Sequence, residues 1–167
     1  MTDSSADVQA VISAWASAWQ ERSATRLIAL WDRTDPDGWF LPAGSVEPYI
    51  GPAIIGYLQR KCIGATTLGY QPGALHIRLI ANDLALCFFA LDWSQDSQDP
   101  ATGTPQTLGG QVRVTVILRR RDAAWRLFHY AEAPLAPLLE LQAFYESVAA
   151  DGLEAIPTRP WSKESGS

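Results

Sequence analysis

Two β-strand patterns joined by a short polar turn constrain the fold of this chain more than any other feature. The runs 110–119 and 125–133 flank the turn Arg120-Arg121-Asp122-Ala123-Ala124, so they predict one antiparallel hairpin. The second run carries Trp125, His129, Tyr130 and Glu132 within eight residues, a density of polar-tipped and ionisable groups that a plain core strand does not need. Any chemistry is therefore expected first on this strand.

Helical periodicity dominates the N-terminal part of the chain. Apolar residues with helical spacing predict a helix over about 5–21, and this face is formed by Val8, Val11, Ile12, Trp15 and Trp19. A second helix is predicted over about 24–31. A third begins at Pro52, because proline at the first helical position loses no hydrogen bond.

The pattern changes to β beyond Gly69. Strands are predicted over 74–80, 84–94, 110–119 and 124–133, and residues 95–107 are predicted to form a mobile polar loop. Three helices followed by four antiparallel strands indicate an α+β fold. The run 84–91 does not alternate, so both of its faces need a cover, the helices on one side and a subunit partner on the other.

The C-terminal segment predicts one more helix, over 135–149. Its apolar band consists of Leu135, Leu138, Leu139, Leu141, Tyr145 and Val148. The residues that follow, 153–167, have the composition of a disordered tail. The sequence therefore predicts a single domain over 1–152.

Composition excludes several classes of function. The net charge of −5 argues against a nucleic-acid partner, and no apolar run approaches the length of a membrane span. Cys62 and Cys87 have no metal-ligand spacing, which is typical of reduced thiols, and the N-terminus lacks a signal-peptide pattern. We therefore expect a cytoplasmic location.

Motifs for nucleotide, zinc and serine-hydrolase chemistry are missing from the sequence. It contains no GxGxxG, no P-loop, no HExxH and no nucleophile elbow. We therefore expect neither a cofactor nor a metal.

The order of these elements resembles a known superfamily. The chain looks like the nuclear-transport-factor-2-like fold in the order of its elements. Two helices are followed by the piece Phe40-Leu41-Pro42, the helix opening Gly51-Pro52 and a meander ending Trp125-Arg126-Leu127-Phe128-His129-Tyr130. This fold is also called the SnoaL-like or cystatin-like cone. The resemblance covers about residues 7–134, and the hairpin is also similar to the last hairpin of the association domain of calcium/calmodulin-dependent kinases.

The resemblance implies a cone-shaped, curved antiparallel sheet wrapped around the N-terminal helices, with the extra C-terminal helix added. Its open mouth would be a pocket for a small molecule, and a homodimer would form through the sheet. The C-terminal helix resembles the extension that closes the pocket in scytalone dehydratase; a helix swapped onto a partner subunit is the alternative.

Members of the superfamily include ketosteroid isomerase, scytalone dehydratase, polyketide cyclases and limonene epoxide hydrolase, besides members without demonstrated activity. The resemblance thus implies a cofactor-independent lyase, isomerase or cyclase that acts on a small apolar or aromatic compound by acid–base chemistry. A non-catalytic module for ligand binding or dimerisation is the alternative. Catalytic residues differ among members, so function has to be argued from the site.

Four residues are catalytic candidates: Glu132 or Asp92 would transfer the proton, and Tyr130 or His129 would hydrogen-bond the developing oxyanion. His129 could also act as general base or acid, and a histidine bonded to a backbone group is its alternative. Glu132 aligns with a pocket arginine of the kinase association domain, and a carboxylate beside aromatic residues could have a raised pKa; a solvated strand-end charge is the alternative. Without a bulge, Tyr130 shares the face of Phe128 and Glu132, whereas His129 points to the other face. Asp92, which interrupts an apolar strand, is the second carboxylate candidate, and a solvent-facing role is its alternative.

Nine further residues are candidates for lining a ligand site. Aromatic side chains in a pocket would favour a flat aromatic or terpenoid ligand, and an arginine would bind a carboxylate or phenolate. For each of them, core packing or solvent exposure is the alternative. The candidates are Trp15, Trp19, Trp31, Tyr49, Tyr57, Phe89, Trp93, Arg113 and Phe128.

Overall fold

A computed structural model describes residues 4–99, 101–135 and 146. Its helices are α1 (Ser4–Gln20), α2 (Ala24–Leu30) and α3 (Pro52–Gly64), close to the three predicted ones. The strands are β1 (Trp39–Leu41), β2 (Tyr49–Ile50), β3 (Ala65–Pro72), β4 (His76–Ala81), β5 (Leu84–Gln98), β6 (Pro105–Arg121) and β7 (Ala124–Pro134). The α+β class predicted from the sequence is confirmed.

Local chemistry explains where the helices begin. The Ser23 side chain caps α2 by accepting from the Arg26 backbone N–H. Helix α3 starts at Pro52, directly after Gly51, whose φ of 52° suits glycine. A Cβ atom at Gly51 would also lie 2.8 Å from the Pro36 carbonyl oxygen, so this tight entry into α3 requires glycine.

The strands form one curved, open sheet in the order β2-β1-β7-β6-β5-β3, with β4 also paired to β5. The sequence predicted an antiparallel sheet, but β1 pairs with β7 in parallel, with Phe40 opposite Tyr130. The sheet is therefore mixed. A parallel pair needs a long connection, and here the rest of the sheet lies between the two strands in sequence.

The predicted hairpin is present, and it joins β6 to β7. Its turn residues Asp122 and Ala123 have φ values of 50° and 61°, the conformation that two-residue hairpin turns require. A buried carboxylate, Asp32, connects this end of the hairpin to the segment after α2. Its backbone N–H donates to the Leu127 carbonyl at 2.7 Å, and its Oδ2 lies 3.2 Å from Arg121 Nε without hydrogen-bond alignment.

The prediction of a polar loop over 95–107 is wrong for most of these residues. Residues 95–98 continue β5 and residues 105–107 begin β6, with Gln98 opposite Pro105. Polar cross-strand contacts hold this extension: the Asp96 carboxylate accepts from Thr67 Oγ1 at 2.5 Å and from Thr107 Oγ1 at 2.7 Å. Hydroxyl–carboxylate pairing thus supports a ladder that hydrophobic alternation could not reveal.

The core lies between α1 and the inner face of the sheet. The long strands supply alternating buried residues, namely Ala85, Cys87, Phe89, Leu91, Val112, Val114, Val116 and Leu118. The outer face of β5 has no cover within the described residues, and Phe88 is 41% exposed there. The helices therefore cover one face of this apolar strand.

The described residues up to Ala133 belong to one compact unit. The predicted C-terminal helix and tail lie outside the described residues except for Leu135 and Glu146. Within the described part of the chain, no helix has the length and apolar character needed to span a membrane.

Candidate functional site

A chain of hydrogen bonds joins two tyrosines and a carboxylate on the inner face of the sheet. Tyr130 O–H donates to Glu132 Oε1 at 2.8 Å, and the Tyr130 and Tyr70 hydroxyl oxygens are 2.5 Å apart. The Tyr130 hydroxyl has one proton, which it donates in the hydrogen bond to Glu132. Tyr70 must therefore be the donor in the hydrogen bond between the two tyrosines. We call Tyr70, Tyr130 and Glu132 the tyrosine–carboxylate network.

Aromatic rings surround this network. The Phe40 ring stacks on Tyr130 with centroids 4.5 Å apart and planes 3° apart, because β1 and β7 place these two residues opposite each other. Trp15 lies 5.9 Å from the same tyrosine ring, and Trp19 stacks on Tyr70 at 6.2 Å. The network therefore lies in a surrounding of low polarity, which strengthens its hydrogen bonds.

The same aromatic cluster extends to the remaining predicted rings. The ring centroids of Trp31 and Phe40 are 6.0 Å apart, and those of Tyr57 and Phe40 are 5.2 Å apart. Tyr49 stacks on Tyr57 at 4.5 Å. The structure thus brings together Trp15, Trp19, Trp31, Tyr49 and Tyr57, all predicted from the sequence as ligand-lining residues.

Glu132 is a partly buried carboxyl with an altered acidity. Burial raises its pKa, while the Ala43 N–H (2.9 Å from Oε2), the Tyr130 hydroxyl and the positive charge of Lys61 act in the opposite direction. Burial dominates, so the carboxyl binds its proton more tightly than an exposed glutamate does. A raised pKa makes this carboxyl a stronger base than an exposed glutamate and suits it to proton transfer.

The tyrosine hydroxyls of the network are far weaker acids than free tyrosine. Burial raises the pKa of Tyr130 and of Tyr70, and the negative charge of Glu132 adds to the effect in both. They remain protonated and act as hydrogen-bond donors. Tyr130 is fully buried and its proton is held by Glu132, so its role is to hold the carboxylate.

Two buried indole N–H groups lie beside the network. Trp15 Nε1 and Trp19 Nε1 have no hydrogen-bond acceptor among the described residues. The Trp15 N–H is nevertheless near enough to the Tyr70 oxygen to lower that hydroxyl's pKa, although the geometry falls short of a hydrogen bond. We regard this contact as a weak polar interaction that leaves the indole without a full partner.

Comparison with known proteins identifies the family. The model of the SnoaL-like domain matches residues 8–137, which is most of the chain. The chain belongs to the SnoaL-like domain family. The resemblance stated from the sequence is thereby confirmed, and no curated protein matches this SnoaL-like domain.

Solved structures show the same fold at low sequence identity. A candidate dehydratase of the NTF2-like family from Streptomyces avermitilis is 15% identical over 78% of this chain and 96% of that one, with a TM-score of 0.67. An uncharacterised protein with a cystatin-like fold from Caulobacter vibrioides is 19% identical (89% and 98% covered, TM-score 0.66). A ketosteroid isomerase-like protein from Erwinia carotovora atroseptica is 16% identical (82% and 100% covered, TM-score 0.62).

Three other candidates of this SnoaL-like domain lie apart from the network. Asp92 is exposed and accepts from Gln111 Nε2 at 2.8 Å, and Arg113 is exposed on β6 opposite Ala90. His129 packs edge-on against Trp39, with ring centroids 4.1 Å apart, and burial lowers its pKa. None of the three contacts Glu132.

An irregular strand explains the positions of the residues around His129. Leu127 and Tyr130 are both fully buried although they are three positions apart, so β7 does not alternate regularly between them. Regular alternation predicted that Phe128 shares the face of Tyr130, but the irregularity places it on the other face. The Phe128 ring centroid lies 4.1 Å from the Arg119 guanidinium. The shared face of Tyr130 and Glu132, by contrast, follows from their hydrogen bond.

The inner face of β5 carries the remaining two candidates. Phe89 is fully buried in the core. Trp93 lies four residues further along the strand, is partly buried, and is opposite Tyr70 on β3. Phe89 is therefore a packing residue, whereas Trp93 lies next to a strand that carries part of the network.

Sequence reasoning missed several residues of the site, among them Tyr70 and Lys61. Tyr70 lies on β3, a strand that was not predicted, and Lys61 lies near the end of α3, where a lysine is normally solvated. The sequence Thr66-Thr67-Leu68-Gly69-Tyr70 was the available signal for β3, since threonine and tyrosine favour strands. No group of three or more metal-ligating side chains occurs among the described residues of this SnoaL-like domain.

Proposed function

We propose that this SnoaL-like domain is an enzyme that transfers a proton on a small apolar or aromatic molecule, in a lyase, isomerase or cyclase reaction. The observation that carries the proposal is the Glu132 carboxylate, which is partly buried among aromatic rings and held by Tyr130 O–H and Ala43 N–H. A carboxylate in such a position is a suitable general base, because burial brings its pKa toward the working pH.

In the proposed reaction Glu132 takes a proton from a carbon next to a carbonyl group. The electron pair of the broken C–H bond moves onto the carbonyl oxygen and forms an enolate. The protonated Glu132 then returns the proton to another carbon, as in an isomerase, or to a leaving hydroxyl group, as in a dehydratase. Tyr130 fixes the orientation of the carboxylate throughout, because it donates to Oε1.

The fold neighbours support this class of reaction in general terms. Structures with the same fold include a candidate dehydratase and a ketosteroid isomerase-like protein, both at low identity. Their chemistry belongs to those proteins, so the proposal for this chain depends on its own Glu132.

Proton abstraction is tested directly by hydrogen–deuterium exchange. A panel of small aromatic ketones headed by 2-tetralone is incubated with the protein in D₂O, and loss of the α-proton signal is followed by NMR. We expect exchange above the buffer rate that falls by about 10²-fold or more in Glu132→Gln. Asp92→Asn is the matched control, since it removes the rival carboxylate that lies on the outer face.

A non-catalytic ligand-binding module is the second candidate. It is favoured by the fact that both Glu132 oxygens and the Tyr130 hydroxyl already have protein partners. The same ketones would then raise the melting temperature without any exchange above the buffer rate. That result would exclude the enzyme for this substrate class and leave ligand binding.

We also propose that the outer face of the sheet joins two copies of the chain. Phe88 is 41% exposed there, directly opposite His76 on β4, and Ile80 is 54% exposed on the same edge. An apolar face of this kind on a long strand is typical of a subunit interface. Phe88→Asp should turn a dimer into a monomer in light scattering, whereas a wild-type monomer would contradict the proposal.

A further inference from the structure

The inference concerns Lys61, the cation nearest to the tyrosine–carboxylate network. Lys61 is partly buried near the end of α3, and its Nζ donates to Gln95 Oε1 at 3.1 Å. An ammonium group has three donors, and this neutral amide uses one of them. Within residues 4–99 and 101–135, no carboxylate lies within ion-pair distance of Nζ. A partly buried cation thus lacks a directly bound anion.

Helix and strand geometry place Lys61 beside the site. Lys61 follows Tyr57 by one helical turn and therefore shares its face of α3. Tyr57 contacts Phe40, which in turn stacks on Tyr130. Lys61 therefore lies on the face of α3 that contacts the aromatic rings around the network.

The hydrogen-bond partner of Lys61 lies on the same side of the sheet. Gln95 follows Trp93 by two residues on β5, and both are partly buried on the inner face that also carries Phe89 and Leu91. Lys61 thus reaches from α3 to the inner face of β5, so it lies between two elements that border the site.

Lys61 and Glu132 interact electrostatically without touching. Burial lowers the pKa of Lys61 and the Glu132 charge raises it, while the Lys61 charge lowers the pKa of Glu132. Two opposite charges in one partly buried region normally form a direct pair, since each loses hydration there. The ammonium group therefore has donors without a protein acceptor among the described residues, and an oxygen atom of a ligand can accept from them.

We infer that Lys61 binds the carbonyl oxygen of the substrate, so that the substrate of Glu132 is an enolisable carbonyl compound whose enolate oxygen pairs with the ammonium group. This rests on the proposed function, and it assigns the oxyanion role to a residue other than Tyr130 or His129. When the C–H electron pair moves to the oxygen, the negative charge develops next to Lys61, and the proton resides on Glu132. A fixed cation at that oxygen lowers the activation barrier of proton abstraction, because the negative charge on the oxygen develops only as the proton leaves the carbon.

The first test measures binding of a stable anion. Isothermal titration with 2-naphthoate and with its neutral amide, 2-naphthamide, gives the preference for a negative oxygen. We expect wild type to prefer the carboxylate by about tenfold or more, Lys61→Met to lose this preference, and Lys61→Arg to retain most of it. Arg60→Gln is the matched control, because it removes one positive charge from the adjacent, exposed position.

The second test uses the ketone exchange reaction. Lys61→Met should lower the exchange rate at saturating ketone by about 10²-fold, the usual effect of removing one oxyanion donor, with little change in the Michaelis constant. Melting curves of Lys61→Met show whether the fold of this variant is intact. A similar loss in Arg60→Gln would mean that only general charge matters, and it would overturn the inference.

The outcomes separate the inference from the proposed function. Exchange that depends on Glu132 but not on Lys61, together with an unchanged anion preference in Lys61→Met, overturns the inference alone. An anion preference that depends on Lys61, without any exchange, overturns the enzyme and leaves Lys61 as an anion-binding residue. Wild type that neither prefers 2-naphthoate nor exchanges ketone protons overturns both.

Discussion

Replacing Tyr130 by phenylalanine should destabilise the protein much more than the same change at Tyr70. The direction of the hydrogen bonds determines this difference. Tyr130 donates to the Glu132 carboxylate and accepts from Tyr70, so its hydroxyl serves two partners. The Tyr70 hydroxyl donates to Tyr130 and is at the start of the chain of hydrogen bonds.

The size of each effect follows from the groups that lose a partner. Tyr130→Phe keeps the ring stacked on Phe40 but removes a hydrogen bond to a charged acceptor and leaves the buried Tyr70 hydroxyl without one. We expect about 3 kcal/mol, from ~2 for the charged bond and ~1 for the neutral one. Tyr70→Phe removes only the neutral bond, because Tyr130 still donates to Glu132, and should cost about 1 kcal/mol.

Urea denaturation and thermal melting measure this difference. For a chain of this length, 3 kcal/mol corresponds to a fall in Tm of roughly 6–12 °C and 1 kcal/mol to roughly 2–4 °C. Tyr57→Phe is the control, since its hydroxyl makes no hydrogen bond within the described residues and should change the stability by about 0.5 kcal/mol or less. Equal or larger destabilisation by Tyr70→Phe would refute the direction of the hydrogen bonds.

Three further outcomes are expected. Burial raises the pKa of Glu132 above its usual 4.5. The protonated carboxyl therefore contributes its full stability below pH 4.5, and this contribution is lost as the pH rises through the pKa of the folded state. In urea denaturation from pH 4 to 8, the free energy of unfolding of Glu132→Gln should therefore increase relative to that of wild type as the pH rises. A difference between the two proteins that does not change with pH would contradict this. Asp32→Ala should cost about 2 kcal/mol in the same assay, because two hydrogen bonds from Thr34 and the Arg121 ion pair are lost. The Cys87 thiol, fully buried and with its pKa raised to about 11, should react with DTNB at pH 8 only after unfolding, and rapid reaction of the native protein would contradict its burial.

Local patterns predicted the helices and the hairpin, since periodicity and turn chemistry act over a few residues. The face shared by Tyr130 and Glu132 could be predicted in the same way. The parallel pairing of Phe40 with Tyr130 could not, because nothing in either short segment indicates a partner so distant in sequence.

The remaining parts of the site depended on weaker signals. The strand that carries Tyr70 alternates poorly between apolar and polar residues, so hydrophobic periodicity did not reveal it. Lys61 has the appearance of an ordinary solvated lysine on a helix, and its position became clear only when α3 and β5 were placed side by side. The irregularity between Leu127 and Tyr130 likewise has no signature in residue type.

The parallel pairing of β1 with β7 has a consequence for the order in which the protein folds. Ala43 N–H and Glu132, joined by a hydrogen bond, are 89 residues apart in the chain, and Asp32 reaches Leu127 across a similar separation. Contacts between such distant residues form slowly, and during synthesis β1 can pair only with the two-residue strand β2 until almost the whole sheet has left the ribosome. The first and last strands therefore pair in a late step, and the same step assembles the carboxylate, the two tyrosines and the rings around them.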